Sequence, residues 1–486
     1  MYKATMADHL NQSNKSAKAQ KPVPAVSGVF DNGVILEMVY QPHERQTAFI
    51  AWQNGCWTRE QRFCPDPSLS LVPYSPTNNL LQHDVVLLPS EPEDYGSEDV
   101  LVNEIQAFIH RYVDVSPLFE KLASYYVLFS WVYDGFNELP YLRLRGDPGS
   151  GKTRFLQTVG ALCYKPIFAS GASTVSPLFR ILDVFRGTLV IDEGDFRLSD
   201  ERAEIVKILN NGNARGFPVL RTEVSGKGEF NPRAYAVFGP KLIATRGFFE
   251  DRALESRCLT EEMGQRRLRE DIRINLLASY KDEALHLRNK LLLFRFHKLH
   301  AHTPEERFVD RTIEPRLNQV FVPLLSIIPD PVAQRDIREL AHLYHRELVA
   351  ERSMDIEAQI LEIIRDLLTS PLKPRLTIKE ITSWFVDRHG DDYERKITTK
   401  WIGSVIRKRL NLRAHKSHGV FVIPPSEEPK LVRLCEKYGI GSQEADESSP
   451  DQASIPLSVD ARVDVGDVGD MEKDCVPEEL QEKPSP

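Results

Sequence analysis

The chain has no C-x-x-C pair. Its six cysteines stand apart at 56, 64, 163, 258, 435 and 475, a spacing that builds neither a zinc site nor a disulfide framework. Reduced thiols, Cys56 and Cys64 buried among them, and a cytoplasmic location are the expectation. Nor is there a run long and apolar enough to cross a membrane. The opening carries Lys3, Lys15, Lys18 and Lys21 with no apolar segment beside them, which argues against a signal peptide. Large apolar residues are scarce at both ends, so 1–27 is expected to be disordered. The same holds for the acidic stretch from Ser442, with Asp460, Asp464, Asp467, Asp470 and Asp474 at short intervals. Solvation accounts for that stretch, and docking of a partner is the other use for it. Between these ends the 486 residues leave room for about three domains.

One stretch organises the rest. Tyr141 to Arg145 reads as a short buried strand, Gly146-Asp147-Pro148-Gly149-Ser150-Gly151 as a glycine-rich loop, and Lys152-Thr153 as a helix start. The spacing fits G-x-x-x-x-G-K-[ST], the phosphate-binding loop of nucleoside triphosphatases. The glycines let successive backbone N–H groups turn toward phosphate oxygens. Lys152 reaches the β- and γ-phosphates of ATP, and the Thr153 hydroxyl suits Mg²⁺. Phe155, Leu156, Val159 and Leu162 give the following helix its apolar side, and its positive end faces the triphosphate.

Two more strands complete a site. Gly187 to Glu193 is continuously apolar until Asp192-Glu193, as a strand buried in a parallel sheet should be. Asp192 is placed for the Mg²⁺ shell, and Glu193 to orient and deprotonate the attacking water. Lys241-Leu242-Ile243-Ala244-Thr245 ends in a polar residue able to touch the γ-phosphate or that water. Upstream, 28–95 reads as a small β-rich domain with strands at Val34–Tyr40 and Thr47–Trp52. Its Trp52, Trp57 and Phe63 either fill a small core or form a stacking surface for nucleic acid. Helical spacing runs through Val100, Ile105, Phe108 and Ile109, then through Leu118, Leu122, Tyr125, Leu128 and Phe129.

Asp251-Arg252-Ala253-Leu254-Glu255-Ser256-Arg257-Cys258 follows. The order of phosphate loop, Asp-Glu strand, polar strand end and A-L-x-S-R-C segment resembles the AAA+ ATPases. The fold class is therefore expected to be α/β, with an ATPase core over 96–275 and a helical lid over 276–352. By that resemblance Arg257 is an arginine finger acting on a neighbour's ATP, with Arg252 the competing candidate, and Arg316 a second sensor. Glu262 to Leu299 is expected to be helical. Val219–Val224 and Phe230–Phe238 flank Ser225-Gly226-Lys227-Gly228 as a hairpin near 218–238. Its position resembles the pre-sensor hairpin of superfamily 3 and minichromosome-maintenance helicases, which implies that Lys227 grips single-stranded DNA in a ring channel. Related rings often carry Asn where this chain has Thr245.

Beyond Asp355 three helical patterns and a short ribbon look like a winged helix over 353–425, followed by a linker and acidic tail over 426–486. Ile397, Trp401, Val405 and Ile406 are the expected buried side of its third helix. Lys400, Arg407, Lys408 and the turn residue Lys416 are its candidate contacts to duplex DNA; a protein-contact role is the alternative. The resemblance implies a homo-hexameric, ATP-driven helicase replicating a plasmid, phage or genomic island, with any primase or polymerase supplied by another chain. A DNA-binding ATP switch or helicase loader without unwinding is the rival, and a regulator whose ATP site sets oligomeric state is a second.

Overall fold

In a computed structural model of the chain, the residues described are 21–171, 173–192, 200–222, 231–353, 355–370, 375–390, 393 and 397–440. They divide into two compact units, 1–351 and 352–486.

The first unit opens with seven strands: β1 (Val23–Ala25), β2 (Ser27–Val29), β3 (Ile35–Gln41), β4 (Gln46–Gln53), β5 (Cys56–Glu60), β6 (Phe63–Asp66) and β7 (Leu69–Pro73). They form a four-stranded sheet, β2-β3-β4-β5, and a three-stranded one, β1-β7-β6. β1 and buried Val26 lie within the segment expected to be disordered. The central strands β3 and β4 are buried, and Trp52 stacks on Phe296 with ring centroids 5.5 Å apart. Trp57 stays exposed. Cys56 and Cys64 are exposed rather than buried, because β5 and β6 are edge strands covered on one side only.

The helices α1 (Asn79–Gln82), α2 (Glu98–Tyr112) and α3 (Pro117–Val132) follow. Ser97 and Ser116 cap α2 and α3 by accepting from backbone N–H groups one turn on. α3 is buried nearly all round. On α2, Val100 is exposed; the buried stripe runs through Leu101, Ile105, Phe108, Ile109 and Tyr112, one position round from the expected one.

Then come β8 (Tyr141–Arg145), α4 (Lys152–Gly160), β9 (Ile167–Ser170), α5 (Val175–Phe185), β10 (Leu189–Asp192), α6 (Asp200–Asn211), β11 (Val219–Arg221), β12 (Arg233–Tyr235), β13 (Lys241–Thr245), α7 (Arg252–Glu255) and β14 (Cys258–Glu262). Five of these strands form an all-parallel sheet in the order β14-β8-β13-β10-β9. Leu142, Leu144, Leu189, Val190, Ile191, Leu242, Ile243 and Ala244 are buried, which is the physical demand of a sheet covered on both faces. The fifth strand, β14, and the loop after it replace the expected helix start at Glu262. Residues 263–278 carry no 3–4 apolar repeat, and Gly264 sits at φ +85°. Helix begins only with α8 (Ser279–Lys298), followed by α9 (Pro315–Leu325) and α10 (Pro331–Ser353). β11 and β12 pair antiparallel, Val219 opposite Tyr235.

A buried charge network ties the opening sheet to this core. Arg295 on α8 donates from Nε to Glu37 Oε1 at 2.8 Å and from Nη2 to Asp134 Oδ2 at 2.7 Å. Lys165 Nζ stands 2.8 Å from Glu37 Oε2, and the Tyr164 hydroxyl donates to Glu37 Oε1 at 2.6 Å. Burial pushes Lys165 down to about 8 despite Glu37 beside it.

The second unit holds α11 (Ile356–Thr369), α12 (Ile378–His389), α13 (Thr399–Lys408), the antiparallel pair β15 (His415–Ser417) and β16 (Val420–Val422), and α14 (Glu428–Lys437). Ile360, Ile364, Ile381, Phe385, Ile402 and Ile406 form its core. Trp401 is half-exposed, edge-on to Tyr393 at 5.7 Å, because the buried stripe of α13 runs through Ile402, Val405 and Ile406. Residues 428–437, expected in a linker, form α14 and bury Leu431.

Candidate nucleotide site

The loop between β8 and α4 is held by backbone that only glycine tolerates. Gly146 has φ +154°, and a Cβ there would stand 2.5 Å from the Met263 carbonyl oxygen. Gly151 has φ +97° and caps α4 without a side chain, so the first N–H groups of the helix face the loop. Asp147, Pro148 and Gly149 are exposed at the crown, and Ser150 N donates to the Asp147 carbonyl at 3.3 Å. Lys152 Nζ curls back to the carbonyls of Gly146 at 2.6 Å and Asp147 at 2.7 Å. Its charge is thereby centred over the loop.

Thr153 Oγ1 donates to Asp192 Oδ2 at 2.7 Å. This contact joins the two motifs, 39 residues apart, at the carboxyl ends of their strands. Two hard oxygens at this spacing suit Mg²⁺, which keeps several waters and takes few protein ligands. Among the described residues no group of three or more His, Cys, Asp or Glu is gathered. β13 lies between β8 and β10, which sets Thr245 between the loop and Asp192. Thr245 is buried. Its hydroxyl donates to the Gly247 carbonyl at 3.0 Å, and its own carbonyl accepts from Gly146 N at 3.3 Å. Glu193 and Lys227 lie outside the described residues.

The segment misread as helix supplies a wall. A cleft of about 260 Å³ beside the loop is lined by Tyr112, Val113, Met263, Ile272 and Ile274. Arg154 on α4 pins its far side by donating to the Arg273 carbonyl at 2.9 Å and to that of Ile274. Its apolar lining and polar rim suit a nucleobase. Nothing local in the sequence marks these residues, since they come from α2 and from a loop 110 or more positions later.

Arg257 is elsewhere. Its carbonyl accepts from Tyr141 N at 2.9 Å, at the amino end of β8. The five residues of β8 separate it from Gly146 by roughly 17 Å. Arg257 Nη1 donates to Asn210 Oδ1 and to the Ala253 carbonyl at 3.0 Å. Asn210 in turn donates to Asp251 Oδ2 at 2.5 Å, and Asp251 caps α7. Burial holds the Arg257 guanidinium below its ordinary range, and the nearby charge of Arg316 adds to that. Arg316, expected at the chain's own nucleotide, opens α9, whose Gln319 donates to Glu138, just before β8, at 2.9 Å, on the amino-end side of the sheet. α7 is anchored from below by nearly inaccessible Arg143 on β8, which donates to Glu255 Oε2 at 2.5 Å and to Thr260 at 3.0 Å. In the second unit Lys400, Arg407, Lys408 and Lys416 are all exposed, and Arg407 lies over the Phe421 ring at 5.5 Å.

No protein-family model matches the chain, and no curated protein does. Among solved structures, the apo NrS-1 C-terminal region aligns over 80% of this chain and 96% of its own, at 10% identity and TM-score 0.34. The inhibitor-bound JCV helicase aligns over 51% of this chain and 61% of its own, at 14% identity and TM-score 0.24. At these scores neither likeness decides fold or function. No helix among the described residues is long and apolar enough to cross a membrane.

Proposed function

We propose that the chain is an ATPase that drives DNA helicase movement, working as a homo-hexameric ring in the cytoplasm to replicate a mobile genetic element. The observation that carries this is the pairing of the Thr153–Asp192 contact at one end of the sheet with Arg257 at the other. Arg257 lies some 17 Å from the loop of its own chain, which supports its serving a neighbour's nucleotide, as the subunits of a ring do.

In this mechanism the loop N–H groups and Lys152 hold the β- and γ-phosphates. Thr153 and Asp192 hold Mg²⁺, which supplies charge neutralisation at the phosphate oxygens. Glu193 takes the proton of the attacking water and Thr245 orients it. The neighbour's Arg257, with Arg316, meets the charge that builds on the transferred phosphoryl group. Lys227 holds one backbone phosphate in the channel without reading sequence. The second unit acts as a winged helix, its Lys400, Arg407, Lys408 and Lys416 contacting duplex phosphates.

Forked DNA tests this. Lys227→Ala should stop unwinding while basal turnover persists. Arg407→Ala with Lys408→Ala should weaken duplex binding and lower its salt slope by about one per lost contact. Full turnover with no unwinding by the wild-type protein would favour the ATP-switch or loader reading.

A further inference from the structure

At the amino ends of β9, β10 and β13 lies a cavity of about 590 Å³, at the opposite end of the sheet from Lys152. Its floor is Tyr133, Tyr164 and Arg295, and its walls carry Arg186, Arg215 and His302. The Arg295 charge is answered by Glu37 and Asp134. The other two guanidiniums make no ion pair among the described residues. Arg215 donates only to carbonyls, Phe136 at 2.8 Å and Asp134, and Arg186 to the Asp183 carbonyl at 3.4 Å. All three arginines line this one cavity with Tyr133, whose hydroxyl donates to the Arg186 carbonyl at 2.7 Å. His302 adds a buried Nε2 with no hydrogen-bond partner. The cavity therefore has a surplus of positive charge and an unpartnered ring nitrogen.

An aromatic surface continues it. Phe238 is half-buried at the wall, with the Arg215 guanidinium 4.6 Å from its ring centroid and Tyr133 tilted against it at 5.7 Å. Phe238 lies three residues past β12, so the base of the β11–β12 pair runs directly into the cavity. Paired cations beside a stacking ring are the equipment with which proteins hold a nucleotide of an unpaired strand. A duplex would not enter a pocket of this size.

We propose that this cavity is a second phosphate site, which seats one phosphodiester of single-stranded nucleic acid between Arg186 and Arg215 and one base against Phe238. The proposal rests on the nucleic-acid reading above and adds to it a contact distinct from Lys227. β10 starts three residues after Arg186 of this cavity's wall and ends at Asp192, its four residues spanning about 13 Å, so one short strand links this seat to the Mg²⁺ ligand.

The test is fluorescence anisotropy of a labelled deoxythymidine 20-mer with the full chain, across a salt series. Arg186→Gln, an exposed rim change, and Arg186→Gln with Arg215→Gln are compared with wild type, with thermal unfolding as the control for folding. The double variant should bind roughly tenfold more weakly, and its log–log salt slope should shrink by about 0.7 for each lost phosphate contact. Arg186→Gln alone should shift both in the same direction. Wild-type binding with both variants unchanged would overturn this site and leave the helicase reading standing. No binding by wild type would overturn both. Inorganic pyrophosphate is the second arm, added to the Lys152→Ala protein. If it raises the melting temperature only when Arg186 is present, and the 20-mer ignores Arg186, the pocket takes a free phosphate and the strand assignment is overturned.

Discussion

At the carboxyl ends of β8, β10 and β13, chemistry is carried by backbone and by side chains adjacent in sequence to a motif. Gly146 and Gly151 shape a loop, Lys152 and Thr153 follow at once, and Asp192 arrives on β10, one strand beyond β13. At the amino ends it is carried by arginines that long-range partners hold in place. Arg257 depends on Asn210 and Asp251, α7 beneath it on Arg143 and Glu255, and Arg295 on Glu37 and Asp134. A backbone loop needs a local spelling. An arginine held by side-chain partners needs a scaffold, and the scaffold can come from anywhere in the chain. The carboxyl end should therefore fail sharply when one residue changes, and the amino end should fail in proportion to the support removed.

The sharpest break is at Lys152. Lys152→Ala should abolish measurable ATP binding in titration calorimetry and bring turnover to background, with the melting temperature close to that of wild type. Wild-type ATP affinity in that variant would remove the loop from the site.

A graded loss is expected at Glu255. Glu255→Gln leaves the Arg143 guanidinium, 2% exposed, without its anion. Burial already works against that charge, and Glu255 is what outweighs it. Since Glu255 itself is partly exposed, the cost should be about 2 kcal/mol in urea unfolding, less than for a pair buried on both sides. ATP affinity should hold while turnover falls, because α7 and Arg257 lose their anchor. Equal losses of affinity and turnover would mean that the two ends of the sheet are not separable.

The smallest effect is a slope. Lys241 opens β13 at the amino end, is inaccessible to solvent, and donates to the carbonyls of Val237 at 3.0 Å and Gly239 at 2.6 Å. Burial pushes its amine down to about 7. Between there and the unfolded value near 10.4 the unfolded chain binds more protons, so stability should rise with pH, by at most about 1.4 kcal/mol per unit. Lys241→Met should flatten that rise in paired melts at pH 7 and 9. An identical pH dependence in both proteins would show that Lys241 stays charged when folded.

The same contrast explains what the sequence made legible. The loop, the Asp192 strand and the Thr245 strand were readable because glycine spacing and continuous apolar runs are local consequences of a phosphate cradle and a buried parallel sheet. β14 was not, since Cys258-Leu259-Thr260-Glu261-Glu262 has two apolar residues and owes its strand conformation to pairing with β8. The cleft wall at Met263 and Ile272–Ile274 was lost with it. Arg257 was noticed only as part of a triplet, and nothing near it in sequence reveals Asn210 or Glu37–Arg295. Cys56 and Trp57 misled because burial tendency belongs to a residue type, while exposure at β5 belongs to its place at a sheet edge.

The central claim is that one chain's amino end completes another chain's carboxyl end. Arg257→Ala protein should bind ATP normally and hydrolyse it on the order of a thousandfold more slowly, by analogy with arginine fingers supplied in trans. Lys152→Ala protein should not hydrolyse it at all. Turnover of the two inactive proteins, mixed under conditions of subunit exchange, is the direct measurement. Recovery of activity, largest near equal proportions, is the predicted result, because an intact loop then meets an intact Arg257 at some interfaces. A mixture no more active than its parts, with exchange verified by labelled subunits, would contradict the claim.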